Sequence, residues 1–331
     1  MGENDYVVDI RNLHVEYRTF KGQVKVVNRV NLCVARGEKV AIVGETGCGK
    51  TTTVKSILRI LANNASIPMG EILFNGEDVL KMNASALKNL RGKGISMIFQ
   101  DPTMSLNPVF LIGSQMKAVI RESGQEGSHS RQVQHELAVK SLKETSMPDP
   151  ERILLSYPFQ LSGGMRQRIS IAMSLATPRD LVIADEPTTN LDVTIQDQVL
   201  KILKDRVEGK GSSMILITHS LGVARETSDR IYVMYAGSMV ETAPTAKLFE
   251  RQFHPYTQAL MNCIPRLSGG GVAEGIPGRI PNYLDPPSGC RFAPRCPKVD
   301  ARCMSRQPDF VDMGGGHKVA CFLHHTKGDK T

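Results

Sequence analysis

Lys39-Val40-Ala41-Ile42-Val43 runs directly into Gly44-Glu45-Thr46-Gly47-Cys48-Gly49-Lys50-Thr51. No other stretch limits what this chain can become as tightly. After Lys39 the residues are apolar and largely β-branched, which suits a short buried strand. Thr52 to Leu61 place Val54, Ile57, Leu58 and Leu61 on one helical face. A strand, a G-x-x-x-x-G-K-T loop and a helix, in that order, make a phosphate-binding unit. Glycines at 44, 47 and 49 let backbone N–H groups converge on a β-phosphate, and the helix start adds its positive dipole end. Lys50 is expected to reach the β- and γ-phosphates and the Thr51 hydroxyl to ligate Mg²⁺. Glu45, Thr46, Cys48 and Thr52 complete the nucleotide-contacting stretch. Cys48 stands alone and reads as a small loop residue, not a metal ligand.

Two later runs supply the groups a phosphate loop needs for hydrolysis. Leu181-Val182-Ile183-Ala184 reads as a buried strand, and Asp185-Glu186 emerge at its end. Asp185 is placed to hold Mg²⁺, and Glu186 to orient and deprotonate an attacking water. Met214 to Thr218 repeat the strand pattern and deliver His219 at the carboxyl end, where ligands bind in open parallel sheets. His219 is expected to touch the γ-phosphate and keep water in line with Glu186. Between these acids and the loop lies Leu161-Ser162-Gly163-Gly164-Met165. A serine and two glycines opening a helix, Met165 to roughly Leu175, make a second anion site.

In this order the motifs resemble those of the ATP-binding subunits of ABC transporters, over nearly the whole chain. The resemblance implies an α/β fold: a P-loop ATPase core with a mixed sheet, an antiparallel β subdomain and a helical subdomain inserted at about 101–178. It implies that Gln100, in Ile98-Phe99-Gln100-Asp101-Pro102, contacts Mg²⁺ or water and senses a membrane partner. Ser162, Gly163 and Gly164 become the family signature, contacting ATP held by a second subunit. Asp192, in Asn190-Leu191-Asp192, matches a loop that crosses the dimer interface, and Tyr17 the aromatic position that stacks on adenine. Two positions depart from the pattern. Asn190 stands where Ala or Gly is more frequent, and Ser220 follows His219 where Asp is usual.

A length of 331 residues exceeds one ordinary core, so a large domain plus an appendage is expected, divided here as 1–252 and 253–331. No apolar run approaches the roughly 20 residues that span a bilayer. Met1-Gly2-Glu3-Asn4-Asp5 is polar and acidic, unlike a secretory signal. The expectation is a soluble protein that reaches a membrane only through partner subunits. The net charge of +8 is scattered, with no basic run or aromatic-rich motif for nucleic acid. Short alternating runs at Tyr6–Ile10 and Val24–Val27 read as antiparallel strands. Met116–Glu122 and Glu136–Lys143 read as helices of the insert.

Beyond residue 250 proline and glycine dominate. Four of the seven cysteines gather there, at 290, 296, 303 and 321, spaced C-x₅-C-x₆-C-x₁₇-C. Thiols in a segment too small for its own core suggest a metal staple, either Zn²⁺ or an iron–sulfur cluster, with unligated thiols as the other reading. His254-Pro255-Tyr256-Thr257 and Gly289 to Pro297 resemble the C-terminal extension of dipeptide/oligopeptide-permease ATPases. That resemblance implies a [4Fe–4S] cluster on Cys290, Cys296, Cys303 and Cys321. It further implies the first of two unlike ATPase subunits, two transmembrane permease subunits, an extracytoplasmic binding protein, and a place on the cytoplasmic face of the membrane. Relatives with this tail also move oligosaccharides, nickel or opines, and a soluble ABC ATPase without a transport role is the remaining alternative. A serine at Cys290 or Cys321 is expected to loosen the tail and leave the phosphate loop intact.

Overall fold

The alternation that marks the first strands changes phase part-way along each of them. Val8 and Ile10 are buried, then Leu13 and Val15; Val27 is buried, then Val30, Leu32 and Val34. The slips fall at Asn12 and Arg29, whose φ values are 45° and 52°. In this computed structural model, which describes residues 5–189, 193–209, 211–264 and 275–325, the two strands are therefore long, Tyr6–Thr19 and Gly22–Ala35. Pattern reading caught only fragments of them, because a residue inserted out of phase hides the continuity of a strand.

The described residues form two compact units. One comprises residues up to 7, 34–38 and 81–216. The other comprises 8–33, 39–80 and 217 onward.

The first unit has a parallel pair, Ile95–Ile98 beside Leu181–Asp185, with Ile95 opposite Leu181. Its helices Ile112–Glu122, Arg131–Glu144, Pro150–Leu154 and Gly163–Ser174 bury Ile112, Met116, Ile120, Ala138, Leu142 and Ile169 in one core. Each helix of the insert extends beyond the run read from sequence. Ser130 caps the second through its side chain, which accepts from the Val133 N–H. Helix Val193–Gly209 follows, and strand Ser213–Thr218 carries the chain from the first unit into the second.

In the second unit strand Lys39–Val43 lies parallel to Arg230–Tyr235, with Val40 opposite Arg230 and Val43 opposite Val233. Arg230–Tyr235 turns back through Ala236-Gly237, at φ 44° and 84°, into antiparallel Ser238–Pro244. Positive φ at both central residues matches the right-handed strand twist. Two tail strands extend this sheet: Lys318–Val319 pairs with Ser238–Pro244, and Val311–Asp312 pairs in turn with Lys318–Val319. Tyr235, Tyr256 and Phe292 pack as one aromatic group in the core beneath. The tail thus shares the core that carries the phosphate-loop strand. A separate antiparallel sheet pairs Tyr6–Thr19 with Glu71–Phe74 and Ala65–Ser66.

Candidate nucleotide site

The loop after Lys39–Val43 has the geometry its glycines predict. Gly44 has φ 154°, and a Cβ there would run into the Met234 carbonyl oxygen. Gly49, at φ 105°, ends the loop as the N-cap of helix Lys50–Ile57. The helix starts two residues before the predicted Thr52. It also stops well short of Leu61, because Leu58 caps it and Arg59 turns left-handed at φ 49°. Lys50 is buried, and its Nζ donates to the carbonyls of Gly44 at 2.8 Å and Glu45 at 3.1 Å. Cys48 is fully buried, which raises its thiol pKa, and its carbonyl accepts from the Gly237 N–H. Tyr17 lies half-buried in the first strand, opposite Ala65. His219 is exposed just past the buried strand Ser213–Thr218. Ser220, the departure from the usual Asp, accepts from the Val223 N–H and caps helix Leu221–Thr227. Serine and aspartate cap helices equally well, so this change keeps the local structure.

In the first unit Asp185 is the last residue of a fully buried strand and is itself 2 % exposed. Glu186 follows at φ 46°. Its Oε2 accepts from Gln100 Nε2 and from Thr189 Oγ1, each at 2.9 Å. Gln100 and Glu186, 86 residues apart in sequence, are therefore brought together. Thr189 was missed as a site residue, although it follows Glu186 closely in Glu186-Pro187-Thr188-Thr189. Gln167 was also missed: its amide donates to the Pro187 carbonyl at 2.6 Å and so ties the signature helix to that turn. Gln100, Thr189, Gly163 and Arg166 line one cavity. Ser162 caps helix Gly163–Ser174, accepting from Met165 N–H. That cap starts the helix two residues before Met165. Asn190, Leu191 and Asp192 lie outside the described residues.

The four tail cysteines are gathered. Cys290 N–H donates to the Cys303 carbonyl at 2.8 Å. Burial, with smaller contributions from Cys303, Cys321 and Cys296, pushes the Cys290 thiol up to about 11. Burial likewise pushes Cys321 up to about 11, and raises Cys296 and Cys303. Four thiols are soft donors of the kind zinc and iron–sulfur clusters take. Among the described residues, however, no three His, Cys, Asp or Glu side chains are arranged to hold a metal ion. The ligand set expected from Cys290, Cys296, Cys303 and Cys321 is thus not formed as such. Cys33 and Cys263, outside this group, are partly buried.

The profile of the ABC transporter family matches residues 27–189, which contain the loop, Gln100, the signature, Asp185 and Glu186. Across 96% of this chain and 95% of its own length, a Sinorhizobium fredii protein named a probable peptide ABC transporter ATP-binding protein is 42% identical. The chain belongs to the ABC-transporter ATP-binding family. The dipeptide transport ATP-binding protein DppD of Bacillus subtilis is 40% identical over 98% of this chain and 96% of its own. A second profile, the C-terminal region of oligopeptide/dipeptide transporters, matches residues 240–303. Among solved structures, the post-hydrolysis dimer of the ATP-binding cassette MJ0796 bound to ADP and Pi superposes with a TM-score of 0.65. It is 26% identical and covers 74% of this chain and all of that one. The fold is that of an ABC ATPase with a mixed sheet, and the chain is an ATPase of this family, whose members use ATP and Mg²⁺. Among the described residues no helix is long and apolar enough to cross a membrane.

Proposed function

We propose that this chain is the ATP-hydrolysing subunit of an importer for di- and oligopeptides. Near-full-length similarity to a dipeptide transport ATP-binding protein, joined to the matching tail region, carries the reading. On this reading residues 1–252 are the ATPase domain and 253–331 the extension. The chain is the first of two unlike ATPase subunits and docks on two permease subunits at the cytoplasmic face, served by an extracytoplasmic binding protein. Exposed Val109, Phe110, Leu155, Tyr157 and Phe159 on the helical insert support docking there.

Lys50 and the loop N–H groups hold the β- and γ-phosphates, and Tyr17 stacks on the base. Ser162, Gly163, Gly164 and Asp192 contact the nucleotide bound to the companion ATPase. Thr51, Asp185 and Gln100 are oxygen donors, which suits Mg²⁺; when bound, the ion neutralises phosphate charge. Glu186 takes the proton from the attacking water, its carboxylate oriented by the Gln100 and Thr189 donors. His219 aligns that water with the γ-phosphate.

Complementation of a deletion strain tests the reading. Labelled dipeptide uptake should return with the wild-type gene and not with Glu186→Gln. Unchanged peptide uptake in the deletion strain, with loss of nickel, oligosaccharide or opine uptake, would move the same ATPase to that cargo.

We also propose that Cys290, Cys296, Cys303 and Cys321 bind a [4Fe–4S] cluster, with Zn²⁺ as the alternative. Their gathering in one loop-rich segment supports this, and no step of hydrolysis passes through the group. Iron, sulfide and zinc analysis of anaerobically purified protein decides it. About four irons and four sulfides are expected; one zinc selects the alternative, and absence of metal removes both.

A further inference from the structure

The tail touches the phosphate loop itself. Three side chains distant in sequence contact its first half. Tyr256 Oη accepts from the Glu45 N–H at 3.0 Å. Tyr283 Oη donates to the Gly47 carbonyl at 2.8 Å. Arg295 Nη1 donates to both carboxylate oxygens of Glu45, at 3.0 and 3.1 Å. The rest of that guanidinium is committed to the tail: Nε donates to Pro277 O at 2.8 Å and Nη2 to Ile276 O at 2.9 Å. With its side chain only 4 % exposed, Arg295 is a fixed post, not a surface lysine-like arm.

We propose that Arg295 and Tyr283 are positioning residues for nucleotide binding, holding the loop in the shape that receives phosphate. The inference rests on the reading that residues 44–51 bind ATP. Two physical effects act together. The first is order. Gly47 sits at φ 80° with open space where a Cβ would be, so no packing on that side holds it. Tyr283 fixes its carbonyl instead, and a loop ordered beforehand loses less entropy on binding. The second is charge. Glu45 brings a carboxylate to a loop that must accept a polyanion, and its carbonyl also holds the Lys50 ammonium. Arg295 neutralises that carboxylate and fixes the residue whose carbonyl aims Lys50. The segment carrying Cys290 and Cys296 is thereby tied to the loop through Arg295. This alters the expectation that the tail can loosen without effect on the loop.

Mg-ATP affinity and the split of KM against kcat, measured on the full chain, test the proposal, with melting temperature and metal content recorded for each variant. Tyr283→Phe removes a single hydroxyl and should weaken Mg-ATP binding about five-fold, raising KM more than it lowers kcat. Arg295→Gln should weaken binding about ten-fold or more, because it leaves Glu45 charged and unpaired. Adding Glu45→Gln to Arg295→Gln should recover part of that loss in affinity; no recovery would show that Arg295 does not act by neutralising Glu45. If Tyr283→Phe and Arg295→Gln bind Mg-ATP within about two-fold of wild type, whatever their melting temperatures, the clamp is wrong. Failure of the loop reading is distinguishable: wild type would then bind no better than Lys50→Ala.

Discussion

Replacing Glu186 by glutamine separates chemistry from everything else at this position. The carboxylate Oε2 accepts from Gln100 and Thr189 at 2.9 Å each. A glutamine carbonyl oxygen in the same place accepts from both. The backbone strain at φ 46° is the same for either residue, so the turn after the buried strand should survive. What disappears is a base. General-base assistance is worth about 10²–10⁴-fold in rate, or about 2.7–5.5 kcal/mol of barrier at about 1.36 kcal/mol per decade. Phosphate release from Mg-ATP should therefore fall by that factor. Affinity for Mg-ATP should stay within about two-fold of wild type, the melting temperature should not move, and an ATP-bound dimer should accumulate. Hydrolysis within about five-fold of wild type would remove Glu186 as the base, because the expected minimum loss is about 100-fold.

Three further perturbations probe the nucleotide site and the tail. Tyr17→Ala should weaken nucleotide binding by about 1 kcal/mol if the ring stacks on the base, and an unchanged Kd would show that Tyr17 only packs. Gly44→Ala should abolish ATP binding, since the new Cβ meets the Met234 carbonyl; a variant that still binds nucleotide normally would show the loop to be pliant. His254 is fully buried, and burial holds its pKa at about 3 against an ordinary 6.5, with the nearby His324 adding to the effect. The unfolded chain takes up a proton below pH 6.5 and the folded one does not. Stability from this group is therefore complete above 6.5 and erodes as pH falls toward 3, by up to about 1.4 kcal/mol per pH unit. His254→Asn keeps an acceptor for the Tyr256 N–H, which His254 Nδ1 now provides, and should flatten the melting temperature between pH 7 and 4.5; matching slopes would count against this.

The loop and the strand-end carboxylates could be read in the sequence because each is local. Gly44 to Thr51 needs only adjacent residues to define its loop, and Asp185-Glu186 needs only the strand before it. Helix ends were harder. The loop helix begins at Lys50 and ends by Leu58 for reasons of backbone angle at Gly49 and Arg59, which composition does not reveal. The long first strands were hidden by out-of-phase Asn12 and Arg29. Thr189 lay in plain view, but nothing in its sequence setting says that its hydroxyl points at Glu186.

The sequence by itself determined that a phosphate loop, a Ser-Gly-Gly signature and an Asp-Glu pair at a strand end follow one another on an ABC-type ATPase, because each motif is a short contiguous code. Only the tertiary structure decided where the proline-rich tail goes. Its strands extend the loop's own sheet, and Tyr283 and Arg295 reach Gly47 and Glu45 across 236 and 250 residues. Contacts of that separation follow from where the whole core places its surfaces, and no local pattern of side chains encodes them.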